Sequence, residues 1–344
     1  MNIPATDSSV FALLLLSFVC LGCWANTLKL AGPRWRFEYF YLDFSVGALA
    51  LAAIASFTLG SSGTDLGISD RVLVAGRMAQ AWAVLGGVVF NIGNVLLIAA
   101  VSLLGMSAAF PLSTGVALIV AAVTSFRPGN VLLLSLGIAC CLAAVILEAR
   151  TCIKRSGNPT PAKRIPGKPA PLDQRRMRVV KGLITGVFGG VFLGFFYQLA
   201  ANGIDGEFGL GPYVGVLLFA LGILGSTLVF TLGFRMAAIE GTPVRLSSYF
   251  RGSLKAHLLG WVGGAIWAAG WLAALLAKMA PSEANHPEWP RLAVPIFSAL
   301  LYVLWGLIFW KEPGTVRAKS IRSSVLAAAV LAIAIVLVSN GLVG

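Results

Sequence analysis

The sequence predicts an all-α integral membrane protein of ten transmembrane helices, arranged as two inverted-topology repeats of five. Three observations predict it. Of 344 residues, 58% are hydrophobic and only 11% are charged, whereas soluble domains carry about 25% charged residues. The apolar residues gather into ten stretches of about 20, the length that crosses a hydrocarbon core as a helix. Features of the first five stretches return in order in the last five. A mean hydropathy of +0.88 excludes a disordered chain and does not fit an ordinary water-soluble enzyme.

The stretches run roughly over 9–30, 38–60, 79–104, 107–126, 130–149, 179–201, 212–238, 256–279, 292–310 and 321–343. None alternates with the period of two of a membrane strand. The 39 Gly and 16 Pro fit, since both are commoner in transmembrane helices than in soluble ones. Residues 1–8 hold Asp7 and no Lys or Arg. They lack the basic start of a signal peptide, so the first stretch reads as a retained helix.

Charge sets the orientation. Of 26 Lys and Arg, 21 follow the odd-numbered stretches; Arg71, Arg77, Arg127, Lys278 and Arg291 lie on the other side. The positive-inside rule then puts both termini outside the cytoplasm, in a plasma (bacterial inner) membrane. The net charge of +13 belongs to short loops, and no basic domain is large enough to track nucleic acid. The longest loop, 150–178, is basic and holds several prolines. It reads as a cytoplasmic linker able to touch anionic lipid. It separates a first repeat, 1–149, from a second, 179–344. Of five cysteines, Cys20, Cys23, Cys140 and Cys141 lie in apolar stretches and Cys152 just beyond one. They read as small core residues, not a disulfide framework.

The repeat shows as paired features. Leu21-Gly22-Cys23-Trp24-Ala25-Asn26 in stretch 1 matches Leu193-Gly194-Phe195-Phe196-Tyr197-Gln198 in stretch 6: Leu-Gly, an aromatic, then a side-chain amide. Gly86-Gly87 with Gly93 matches Gly263-Gly264 with Gly270. Pro111 and Pro295 come early in stretches 4 and 9, which end near Arg127-Pro128-Gly129 and Lys311-Glu312-Pro313-Gly314. An odd number of helices per repeat inverts the second copy, a layout by which secondary transporters build two access states around a midplane site.

The polar residues inside the stretches are the candidates for that site. Gly186, Gly190, Gly194, Gln198 and Asn202 form one ridge, small first and then amide. Gly87, Asn91 and Asn94 share a face. Their amides offer both donors and acceptors, either for a neutral polar solute or for a buried network between helices. Trp267 and Trp271 either stack on a flat solute or pack as core. Asp43 lies roughly 9 Å into its helix at 1.5 Å per residue. A carboxylate there is a functional candidate by default. It reads either as the site of a coupling proton or as an interfacial partner of Lys29, Arg34 or Arg36. His257, in the basic loop before stretch 8, reads as a loop anchor. Glu38, Glu148 and Glu312 at helix ends are expected to be solvated.

Some chemistry is missing. There is no His-Glu-x-x-His, no Gly-x-Ser-x-Gly and no metal-ligand cluster, so neither an enzyme nor a cofactor is expected. Gly167-Lys168 does not make a phosphate loop, because Ala162 and Pro169 stand where Gly and Ser or Thr are needed.

The chain resembles the ureide permease family and its bacterial relatives, near the glucose/ribose porters of the drug/metabolite transporter superfamily. The resemblance rests on Leu21-Gly22 with Trp24, on Tyr41-Leu42-Asp43-Phe44-Ser45, and on Gly86-Gly87 through Gly93-Asn94. In the second half it rests on Gly252-Ser253-x-Lys255-x-His257 with Gly260, on Gly263-Gly264-x-Ile266-Trp267, and on Leu304-Trp305-Gly306 with Trp310-Lys311-Glu312. It implies an inverted-repeat carrier with a central cavity, stretches 5 and 10 at the periphery, and proton-coupled uptake of a ureide, nucleobase or sugar. Trp24, Asn26, Asn91, Asn94, Gln198, Asn202, Trp267 and Trp271 are the expected lining, with Asp43 as coupling residue. The rival readings are an exporter of metabolites or drugs and a structural membrane scaffold. The sequence sets no oligomeric state.

Overall fold

The computed structural model describes residues 6–61, 67–124, 130–156, 171–206, 208–236, 245–279, 289–312 and 318–343. Residues 157–170 of the basic linker, including Gly167-Lys168, lie outside these, as do Arg127-Pro128-Gly129 and Pro313-Gly314. Among the described residues all regular structure is helical. Nine helices among the described residues are long and apolar enough to cross a membrane, which makes this a multi-pass membrane protein.

The first span, Asp7–Ala31, is two helices, α1 (Asp7–Cys23) and α2 (Asn26–Ala31). Thr6 caps α1 by accepting from the Ser9 amide, and the Ser9 side chain returns a bond to Thr6, which satisfies donors a helix start leaves open. Then come α3 (Phe37–Thr58), α4 (Ile68–Leu104), α5 (Met106–Thr124), α6 (Val131–Ser156), α7 (Pro171–Ile204) and α8 (Gly211–Met236). A short α9 (Leu246–Phe250) leads into α10 (Leu254–Met279). α11 (Trp289–Leu304) runs on into a π-helical turn, Trp305–Phe309, and α12 (Ala318–Val343) closes the chain.

Four elements differ from the expected stretches. α6 runs seven residues past 149, to Ser156, and α7 begins eight residues before 179, at Pro171, so both ends of the expected linker are helical. α4 begins eleven residues before 79 because Gly76, at φ 73°, joins a short leading helix to the membrane helix; glycine takes this conformation without steric cost. The ninth stretch is a helix ending in a π turn. Its apolar part, Ile296–Phe309, is shorter than a full span.

The chain forms two compact units. The first holds Met1–Ile92 and Phe195–Ser298, and the second Gly93–Gly194 and Ala299–Gly344. Each draws on both halves of the sequence.

Glycines set the close helix crossings within each unit. In the first, α3 packs on α10 with almost no gap. A side chain at Gly264 would strike the Phe44 carbonyl, and one at Gly47 the Trp261 carbonyl. Gly87 lies against the Phe219 carbonyl of α8, and Gly222 against that of Val84. In the second unit, Gly190 and Gly194 lie against α5 at Ser113 and Val120, and Ser113 Oγ donates to the Gly186 carbonyl at 2.8 Å. The ridge expected for stretch 6 is therefore a packing surface up to Gly194. α6 packs along α12, with Gly137 against Val338 and Gly341 against Leu134. Small residues are what allow membrane helices to approach this closely.

Candidate functional site

The first unit holds a buried carboxylate centre. Asp43, on α3, is 0% exposed. Tyr249 on α9 donates its hydroxyl to Oδ1 at 2.6 Å, and His257 Nδ1 lies 3.0 Å from both carboxylate oxygens. The Trp261 side chain adds a further hydrogen bond. Trp35 meets the His257 ring edge-on, with centroids 4.8 Å apart. Arg36, expected as a possible partner of Asp43, pairs with Glu38 instead, at 2.6 Å.

The local sequence explains how this centre forms. Gly252 lets the chain pass where a side chain would strike Trp35 and His257. Ser253 caps α10, its hydroxyl accepting from the Ala256 amide at 3.3 Å, a role serine fills well. His257 follows on the first turn. Gly260, one turn on, clears the space that the Asp43 side chain occupies. Tyr39 donates its hydroxyl to the Arg245 carbonyl at 2.9 Å and accepts from the Arg245 amide at 3.3 Å, which fixes the approach to α9. Burial and the neighbouring Asp43 carboxylate push the Tyr249 phenol above its ordinary range, so it stays a protonated donor.

Farther along the same helices lies an aromatic core. Trp24 packs on Phe44 at 4.8 Å, and Phe44 on Trp267 at 5.9 Å. Trp267 contacts Phe90 at 4.5 Å and lies nearly parallel to Phe219. Trp271 lies 16° from the plane of Trp267 and touches Phe196 and Tyr197. Trp271 is 6% exposed, and among the described residues its indole N–H has no hydrogen-bond partner. At the far end of α10, Lys278 pairs with Asp205 and lies over the Tyr197 ring.

The amides divide. Asn91 is buried and ties α4 to α8: its Nδ2 donates to Ser226 Oγ at 2.7 Å, Thr227 Oγ1 at 3.0 Å and the Ile223 carbonyl at 3.2 Å. Asn26 donates to the Cys23 carbonyl of its own turn at 3.0 Å. Gln198 is half-buried and Asn202 exposed, while Asn94 is buried in the second unit. Trp24, Trp267 and Trp271 are thus joined through Phe44, Phe90 and Phe219. Phe90, Phe219, Tyr249 and Trp261 are not among the expected site residues, and Phe44, Phe196 and Tyr197 stand in the sequence motifs without an assigned role. Phe90 and Trp261 lie four residues from Asn94 and His257, a spacing that core packing produces equally, and Phe219 has no expected residue near it in sequence.

The expectation that Glu38, Glu148 and Glu312 are solvated is corrected: all three are buried. Glu312, in the second unit, accepts from the Met106 amide at 2.6 Å, the Ser107 amide at 3.1 Å and Ser107 Oγ at 2.7 Å. It caps the start of α5. The reason lies in the chain before it. Gly105, at φ 94°, turns α4 sharply into α5 and leaves those N–H groups pointing at Glu312, and a carboxylate at a helix N-terminus is favourable.

No protein-family model matches the chain. Ureide permease 2 of Arabidopsis thaliana is 28% identical over 123 residues, 34% of this chain and 30% of that protein. The chain thus matches under a third of the length of this relative, and the likeness supports a distant, ureide permease-like relationship. A solved crystal structure matches 96% of this chain and 96% of its own, with a TM-score of 0.52 at 15% identity. The two share a fold.

Proposed function

We propose that the protein is a secondary active transporter, not an enzyme, importing a small polar solute (a ureide, nucleobase or sugar) by proton-coupled alternating access. Its ten helices would form two inverted five-helix repeats, 1–149 and 179–344, joined by the linker 150–178. The observation that carries this reading is the Asp43 centre: a wholly buried carboxylate in a membrane helix, bonded to a histidine and a tyrosine. Intramembrane carboxylates mark proton and ion pathways. The partial likeness to a ureide permease supports the same reading.

The geometry suggests how a proton would act. Ionised Asp43 accepts from Tyr249 and faces His257, holding α9 and the start of α10 against α3. A proton on the carboxylate turns one acceptor oxygen into a donor. Tyr249, itself a donor, then keeps only the weaker bond to a neutral carboxylic acid. The tie between α9 and α3 weakens, and the segment from Arg245 to His257 is free to move. Solute would meet the aromatic core, where the open Trp271 N–H and the rings of Trp24 and Trp267 offer one donor and flat faces. Gln198, Asn202 and Asn26 are proposed as further polar lining. Asn91 would act by holding α4 to α8. The part of Asn94 is a matter for the same assay.

The test is uptake of labelled allantoin and labelled glucose by cells lacking their own importers, with and without a protonophore. The expected result is saturable accumulation of one of them that collapses with the protonophore. Flat traces for both, with the protein in the membrane, would overturn the import of these solutes.

A further inference from the structure

A second ionisable group is buried in the other unit. Glu148 lies on α6, within an apolar span, and is 1% exposed. Its Oε1 accepts from Ser324 Oγ of α12 at 3.1 Å, and Arg155 Nη2 donates to the same hydroxyl at 2.8 Å. Thr151, nearly one turn on, shares a 2.6 Å hydrogen bond with Ser323. The Glu148 Oε2 atom is buried and, among the described residues, has no hydrogen-bond partner. Glu312 in the same unit is different, because the start of α5 supplies donors to both of its oxygens.

An unfilled carboxylate oxygen in a membrane helix is costly, and such an orphan calls for something that fills it. The surroundings narrow the choice. On α6 itself, Arg155 and Cys152 act electrostatically with Glu148, and Glu312 acts on Cys152. α5, packed on α6, carries no charged residue between Met106 and Thr124. α12 brings the Ser323 and Ser324 hydroxyls, while its Arg322 is exposed. One hydrogen-bonded path from Arg155 to the carboxylate runs through Ser324. A single open oxygen is too few ligands for a metal cation, which takes several, and is enough for a proton.

We propose that Glu148 is a proton-exchange site on the α6–α12 pair, separate from Asp43. The step is balanced: a hydronium ion gives its proton to Oε2 and leaves as water, and the reverse returns it, with no other bond made or broken. Ser324 is its positioning residue. Use of the site in coupling rests on the transport reading, but the exchange itself does not.

The experiment is a pH-difference infrared spectrum of the purified full-length protein in lipid nanodiscs, alongside the uptake assay. The expected result is a carboxylic-acid C=O band that shifts in D2O, is lost in Glu148→Gln and survives in Asp43→Asn. Ser324→Ala should shift the band without removing it. A Glu148→Gln spectrum that superimposes on the wild type would overturn the site. If that variant does not fold, an unshifted band in Ser324→Ala would do so. A Glu148 band in a protein that takes up neither solute would support the site and count against the import reading. Protonophore-sensitive uptake with no Glu148 band would sink the site alone.

Discussion

Asp43 and Glu312 are both buried carboxylates, one in each unit, and their donors make them different devices. Glu312 is held by two main-chain amides and a serine hydroxyl. Those amides cannot titrate, and they move only if α5 moves. Asp43 is held by Tyr249 on a five-residue helix and by His257. A five-residue helix is easily displaced, whereas the start of α5 is not. Burial of a carboxylate is therefore no sign of function by itself. Fixed partners make a pin, and adjustable partners make a switch.

The comparison breaks first at Asp43. Asp43→Asn keeps the shape and one acceptor while removing the titrating group. Proton-driven accumulation should be lost, with folded protein still present in the membrane, as checked by uptake and by detergent-solubilised monodispersity. Full accumulation in this variant would make Asp43 a pin like Glu312.

Glu312→Ala should show the opposite pattern. Three donors would lose their acceptor at the start of α5, where water can take the place of part of what is lost, and a hydrogen bond to a charged group contributes a net of roughly 1.5–3 kcal/mol. The expected cost is about 3 kcal/mol in unfolding free energy. The protein that survives should keep the protonophore sensitivity of its uptake. Denaturant unfolding followed by tryptophan fluorescence would measure the first part. An unchanged midpoint would show that water replaces the pin without penalty.

These contrasts bear on what the sequence makes legible. Membrane helices, their approximate ends and their glycine crossings follow from apolar length and small-residue spacing, because a bilayer imposes both. Asp43 stands out because a charge inside an apolar stretch is rare. The burial of Glu312 and Glu148 does not show, because a charge at the end of a stretch looks the same whether it meets water or a neighbouring helix. Only the turn at Gly105 and the approach of α12 decide it. Asn91 illustrates the same limit. Its amide in a helix announces a hydrogen-bonded role, but whether the partner is solute or Ser226 depends on α8, more than a hundred residues away.

Asn91→Ala sharpens that point. It removes the tie to α8 and leaves the Ser226 and Thr227 hydroxyls, both of which also donate to carbonyls of their own helix. Those retained bonds limit the loss to about 1 kcal/mol, visible as a small fall in thermal stability. A loss of uptake with no fall in stability would instead place Asn91 against the solute.

The smallest expected effect is at Tyr249, and it tests the switch directly. The folded protein raises the phenol pKa above its value of about 10 in an unfolded chain. A raised pKa contributes stability that is complete below about pH 10 and lost as pH rises through the folded value. Across the physiological range Tyr249 therefore remains a donor, and only the charge on its acceptor changes. Tyr249→Phe removes that donor and one charge-assisted bond, leaving His257 and Trp261 to hold Asp43. Because the hydroxyl is only part-buried, water can take its place at Asp43, and the stability change should stay below about 1 kcal/mol. The pH dependence of uptake should move, since Tyr249 favours the ionised carboxylate and its loss lets Asp43 take its proton at a higher pH. The profile should therefore shift toward alkaline pH in the Phe variant. A profile that superimposes on the wild type would mean that the bond to Tyr249 positions α9 without sensing the proton.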